Sequence, residues 1–148
     1  MVMCDYFSAS SDDVAVGVLD QPGGPDPSIF DVVPLKGIDP VVVMARLEAI
    51  LTGCTHDEAS ERPRSGQLLS SPEAESAFIV SLSDTLQEAL ASATRASLTE
   101  AAGPWSETDE LLQYGVTLET ALDVLVQLAG LASRARSAGL HLFCWWAL

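Results

Sequence analysis

The segment "LHLFCWWAL", residues 140–148, decides how the rest of the chain is read. It contains no Asp, Glu, Lys or Arg and carries two adjacent tryptophans, Trp145 and Trp146. It is far shorter than the ~20 apolar residues that cross a bilayer as a helix, and its aromatic and apolar residues suit a pleated, buried surface. The reading is a strand over residues 140–146. Its natural partner is the other β-rich end, residues 2–7, "VMCDYF", which alternates weakly and is bounded by a serine-rich stretch. Pairing the two ends in one small sheet keeps an apolar tail from acting as an aggregation edge.

Immediately before this strand, "TLETALDVLVQLAGLASRARSAG" has a helical pattern from Thr117, a capping residue, to Gly139, a stop. Leu118, Ala121, Leu122, Leu125, Leu128, Ala129 and Ala132 keep helical spacing, and Arg134 and Arg136 lie in the last turn, where the helix dipole favours cations. Near the other end, Ser10 or Ser11 caps a short helix that must stop before Pro22-Gly23-Gly24-Pro25. "IFDVVPLKGI" is a second strand, confined by Pro34 to an edge or a bulge because proline has no ladder donor. Asp39 and Pro40 then open a helix that Gly53 ends, with Val43, Met44, Leu47, Ile50 and Leu51 on one face.

Residues 54–67, "CTHDEASERPRSGQ", are the most polar stretch and read as an exposed loop. Ser71-Pro72-Glu73 resembles a helix start, and the helix it opens is predicted to run to about Ala93, with Phe78, Leu82, Leu86, Ala89, Leu90 and Ala93 as its apolar stripe. Gly103-Pro104-Trp105 is predicted to break the chain, and Ser106 with Asp109 to cap a short helix ending near Tyr114-Gly115. The expected fold is a single α+β domain over residues 1–148, a small sheet that includes the N- and C-terminal strands and is packed by about five helices.

Charge narrows the functional classes. The 21 acids against 7 bases give a net charge of −14. No basic residue precedes Lys36, and none lies between Arg95 and Arg134. Such a surface repels phosphate backbones and anionic headgroups, which disfavours nucleic-acid and acidic-membrane binding and permits a basic protein partner. Cys4, Cys54 and Cys144 are odd in number and scattered, and the N-terminal stretch has neither a basic region nor a long apolar core, so neither a disulfide framework nor a secretory leader is expected; the cytoplasm fits. One lysine against six arginines hints at a GC-rich bacterial source.

Candidate sites are few. Cys54, His56, His141 and Cys144 have the inventory of a tetrahedral zinc site, but His141 and Cys144 would point to opposite faces of a strand and Cys-x-His is not a usual ligand spacing, so no metal or cofactor is expected. With two histidines in the chain, nothing local supports a Cys–His nucleophile and no catalytic residue is assigned. "QPGGP" lacks the lysine and the context of a phosphate loop. The candidate binding residues are Tyr6, His56, Arg62, Arg64, Trp105, Trp145 and Trp146. The arginine pair stands out on an anionic surface, where it suits a small anion or a carboxylate peptide, and the aromatic residues could line a pocket.

The order of these pieces resembles the uncharacterised bacterial YfbM-like domain family. The similarity lies in "MVMCDYFSASSDD", in "LKGIDPVVVMARLEAILTG", in "GQLLSSPEAESA", in "GPWSETDELLQY" and in the closing "SRARSAGLHLFCWW". The resemblance implies an α+β domain with a small sheet and several helices, without an established activity or catalytic residues. Two readings of function follow. The first is a non-enzymatic interaction protein offering an acidic face to a basic partner, as a small inhibitor or immunity-type protein does. The second is a small-molecule-binding domain or enzyme whose pocket forms where Tyr6, Trp105 and Trp145 or Trp146 meet the 54–67 loop. A homodimer through an exposed tail tryptophan is compatible with either.

Overall fold

A computed structural model describes residues 2–148. Five strands form one antiparallel sheet: β1 (Met3–Ala9), β2 (Val32–Lys36), β3 (Gln67–Leu68), β4 (Ala77–Ser81) and β5 (His141–Ala147). Their order is β2-β1-β5-β4-β3, so the C-terminal strand is the central one, with β1 and β4 on its two sides. Cys4 pairs with Trp146, Tyr6 with Cys144 and Phe7 with Phe143 across β1 and β5, while Ile79 of β4 pairs with Trp145. The uncharged tail is therefore covered on both edges by hydrogen-bonded neighbours. Pro34 lies on the edge strand β2, where a missing N–H leaves no gap in the sheet interior.

Seven helices flank this sheet: α1 (Asp12–Val16), α2 (Val42–Thr52), α3 (His56–Ser60), α4 (Asp84–Ala91), α5 (Arg95–Ser106), α6 (Asp109–Gln113) and α7 (Leu118–Ala138). Local chemistry sets their ends. Ser11 accepts from the Val14 amide, Asp39 from the amides of Val41 and Val42, and Thr117 from that of Thr120. Gly53 and Gly139 close α2 and α7 in the left-handed conformation, each at φ 70°, which lets the chain turn from α7 into β5 within two residues. No helix among the described residues is long and apolar enough to cross a membrane.

Alternation along β5 divides the core. Leu142, Cys144 and Trp146 face the larger cluster, which includes Met44 and Leu47 of α2, Leu86 and Leu90 of α4, Trp105 of α5 and Leu125 and Leu128 of α7. Phe143 and Trp145 face a smaller one, with Phe7, Ile79, Ala15 and Val18. The second layer is thin: α1, a 3-10 turn at Gly17–Asp20 and the Pro/Gly loop.

Three expectations are corrected. The helix expected from Ser71 to Ala93 is a strand followed by a helix, because Phe78-Ile79-Val80 is an aromatic and β-branched run that pairs with the tail, and Ser83 caps α4 by accepting from Leu86. Its Phe78-to-Leu82 spacing imitates a helical stripe, but Phe78 packs against Trp146 on the sheet, with ring centroids 6.4 Å apart. The break at Gly103-Pro104-Trp105 is absent: α5 continues to Ser106, since Pro104 falls in its last turn and the burial of Trp105 offsets the lost backbone bond. Ser106 consequently ends α5, and Thr108 is the residue before α6. Finally, the 54–67 loop contains α3, capped by Thr55 through the Glu58 amide, and begins β3.

Candidate functional site

The 54–67 segment is the place to start, because the sequence puts its arginines there. Arg62 reaches back to Glu48 of α2, Nη1 to Oε2 at 2.7 Å. The Glu48 side chain is 1% exposed and also accepts from Thr85 Oγ1 at 2.7 Å and from the Ser83 hydroxyl, so one buried carboxylate joins α2, α4 and the segment after α3. Arg64 donates twice to Asp12 of α1, at 2.9 and 3.2 Å, and its guanidinium lies 5.6 Å from the centre of the Phe143 ring. The Ser81 hydroxyl donates to the Arg64 carbonyl at 2.7 Å. Arg64 also has φ 69°, an uncommon conformation for a residue with a Cβ that this set of contacts holds in place. The Asp12 carboxyl is kept below its ordinary range chiefly by the hydrogen bond from Arg64. Both arginines are thus bound to the protein's own carboxylates and link separate elements of the fold.

The aromatic candidates are mostly core residues. Tyr6 is buried, donates to the Ile38 carbonyl, and burial raises its phenol well above the usual range. Trp105 is buried and donates to the Val43 carbonyl at 3.2 Å. Trp146 is half-buried on the same side of the sheet, against Phe78. Trp145 is on the opposite side, where Gly24 packs on its ring so closely that a Cβ there would come within 2.8 Å. His56 lies at the start of α3, with Nδ1 3.8 Å from the Asp57 carboxylate. Tyr6, Trp105 and Trp146 therefore share the larger core cluster as packed side chains, with Tyr6 and Trp105 fully buried, and strand alternation sends Trp145 to the other side, so the expected pocket against the 54–67 segment is not assembled.

The cysteine and histidine candidates also diverge. His141 is exposed and points its Nδ1 at Asp84, 3.2 Å away, while Cys144 is buried on the helix side and burial raises its thiol well above the ordinary value. No group of three or more potential metal ligands converges among the described residues. A cleft of about 520 Å³ lies between α1 and the Pro/Gly loop, and its walls include Val14, Val18, Pro22, Pro25 and Phe30. Its carboxylate, Asp26, is engaged by the amide and hydroxyl of Ser28.

What the fold does organise is charge. Besides Arg62 and Arg64, Arg46 pairs with Glu110, Arg134 with Asp31 and Arg136 with Glu88. Five of the 7 basic side chains therefore hold internal carboxylates, and among the described residues only Lys36 and Arg95 form no ion pair. Removing those five carboxylates from the 21 acids leaves sixteen without an arginine partner.

An apolar surface where α6 meets α7 also stands out. Leu112, Tyr114 and Leu118, on the turn between α6 and α7, are 60%, 58% and 56% exposed. Leu118 has the spacing of a core residue, but it is the first residue of α7 and is left exposed. Leu111 and Ala121 on either side are fully buried, and of the residues between them only Val116 is partly covered.

No protein-family model, curated protein or solved structure matches this chain. The resemblance to YfbM-like domains thus rests on the capping and packing motifs alone.

Proposed function

We propose that this protein is a non-enzymatic binding protein that presents an acidic surface to a basic protein partner. The observation that carries this reading is the use of cations: five of the 7 are paired with the protein's own carboxylates, some of them at the surface, so the remaining acids give the charge of −14 with almost no cation left to neutralise it locally. Partner selection by such a surface acts mainly through encounter rate and rejection of acidic competitors.

The test is binding of fluorescent polylysine and polyglutamate peptides at low and at physiological salt. Polylysine is expected to bind, more weakly as salt rises, and polyglutamate not at all. Equal binding of both peptides, or polylysine affinity indifferent to salt, would remove the proposal.

A further inference from the structure

We infer that the turn between α6 and α7 is the docking surface, and that its occupant is a basic amphipathic helix of the protein partner; the inference rests on the acidic-binding reading above and locates it. Elsewhere among the described residues the large apolar side chains more than half exposed are Ile29, on the wall of the cleft beside α1, and Leu148. Here three that are more than half exposed fall within one turn, Leu112, Tyr114 and Leu118. α7 extends the apolar row at four-residue intervals through half-buried Leu122 to Val126, which is 37% exposed. A ridge of that spacing is what the apolar face of a second helix packs against.

The charges around the ridge choose the partner. Glu107, Asp109, Glu119 and Asp123 are all exposed, and no Lys or Arg occurs between Arg95 and Arg134. Arg46, the one basic residue seen to touch this segment, is held by Glu110 at 2.5 Å. Glu119 and Asp123 lie one residue after Leu118 and Leu122, so a row of carboxylates runs beside the apolar row on the same helix. A partner helix with leucine-like side chains on one face and lysine or arginine along its flanks would bury the ridge and meet the carboxylates together. A second copy of this chain would bring another carboxylate row to the same place, and that repulsion argues against self-association as the use of this face.

The experiment uses the whole chain and a synthetic amphipathic helix of leucine and lysine, with a scrambled peptide of the same composition that cannot segregate its leucines. The helical peptide is expected to bind at least about tenfold more tightly than the scramble, and Leu112→Ser with Leu118→Ser to remove about tenfold of that affinity. Asp109→Asn, Glu119→Gln and Asp123→Asn together should weaken it severalfold at low salt. The triple variant Glu61→Gln, Glu73→Gln, Glu75→Gln removes the same formal charge from other exposed positions and should change it little. If the two triple variants behave alike and the serine variant binds normally, this docking surface is wrong while the acidic-binding reading stands. Failure of both peptides to bind would overturn both. Sedimentation of the free protein supplies the remaining outcome: a dimer that the serine variant dissociates would make a second copy the occupant and overturn the inference.

Discussion

Two acidic, solvent-facing segments of this protein are built in opposite ways. Residues 54–67 hold two of the chain's few cations and look in sequence like a receptor, yet Arg62 and Arg64 are fixed to Glu48 and Asp12 and fasten the segment to α2 and α1. The stretch from Glu107 to Asp123 contains no cation and looks like packing, yet it leaves Leu112, Tyr114 and Leu118 uncovered beside free carboxylates. Residue type does not separate a clamp from a docking surface; the presence or absence of an internal partner does. Substitutions in the first segment should therefore act on stability, and substitutions in the second on association.

The largest effect is expected at the buried carboxylate. Arg62→Ala would leave Glu48, 1% exposed, with only two hydroxyl donors, and removing one member of a buried charge pair costs about 3–5 kcal/mol. Because Arg62 itself is 28% exposed, the lower end of that range is expected, and urea denaturation would measure it. A midpoint unchanged from wild type would mean that the clamp is not structural.

Arg64→Ala comes next, at about 1–2 kcal/mol, from loss of the paired bonds to Asp12 and the contact with Phe143. The Asp12 carboxyl has a lowered native pKa, so its contribution is present above the unfolded carboxylate range and is lost as pH falls through the native value. Half-exposure of Asp12 keeps that part small. Thermal melts of wild type and Arg64→Ala should accordingly converge as the solution is acidified, and a gap that widens on acidification would contradict the assignment.

Asp5 offers an effect of the opposite sign. It is buried on the thin side of the sheet between Pro34, which has no N–H to give, and Trp145, and its Oδ1 has no hydrogen-bond partner. Burial raises its pKa, so the charged form weakens the fold: the group's contribution is full below the unfolded pKa and is lost as pH rises through the native one. Asp5→Asn is expected to stabilise the protein by about 1 kcal/mol at neutral pH, with the gain vanishing in acid. Destabilisation at neutral pH would show that the charged carboxylate has a stabilising partner.

The parts of the fold that could be read from sequence were those with a local cause. Thr117 and Gly139 bound α7, Asp39 and Gly53 bound α2, and the uncharged tail could only be a covered strand; each needs a few neighbouring residues to be understood. β4 was hidden because Phe78, Leu82 and Leu86 happen to keep a helical interval, and only pairing with β5, some sixty residues away in sequence, makes Phe78-Ile79-Val80 a strand. Pro104 misled for a related reason, since the burial of Trp105 that holds the last turn of α5 is a tertiary event. For the site, charge and its gaps were visible, while the partners of Arg62 and Arg64, fourteen and fifty-two residues distant, were not.

The smallest expected effect is the most discriminating. Leu112→Ser and Leu118→Ser remove side chains that are already 60% and 56% exposed, so little buried apolar area is lost and stability should change by no more than about 0.5 kcal/mol. A core leucine such as Leu111, one residue away and fully buried, should cost about 2–5 kcal/mol when cut to alanine. The contrast between adjacent residues asks whether the turn faces water in the free protein. Were Leu112→Ser and Leu118→Ser to lower the melting temperature as Leu111→Ala does, the ridge would be part of the core and unable to accept a partner. Unchanged melting would leave the exposed leucines with no stabilising role in the isolated chain, which is the condition an interaction surface must meet.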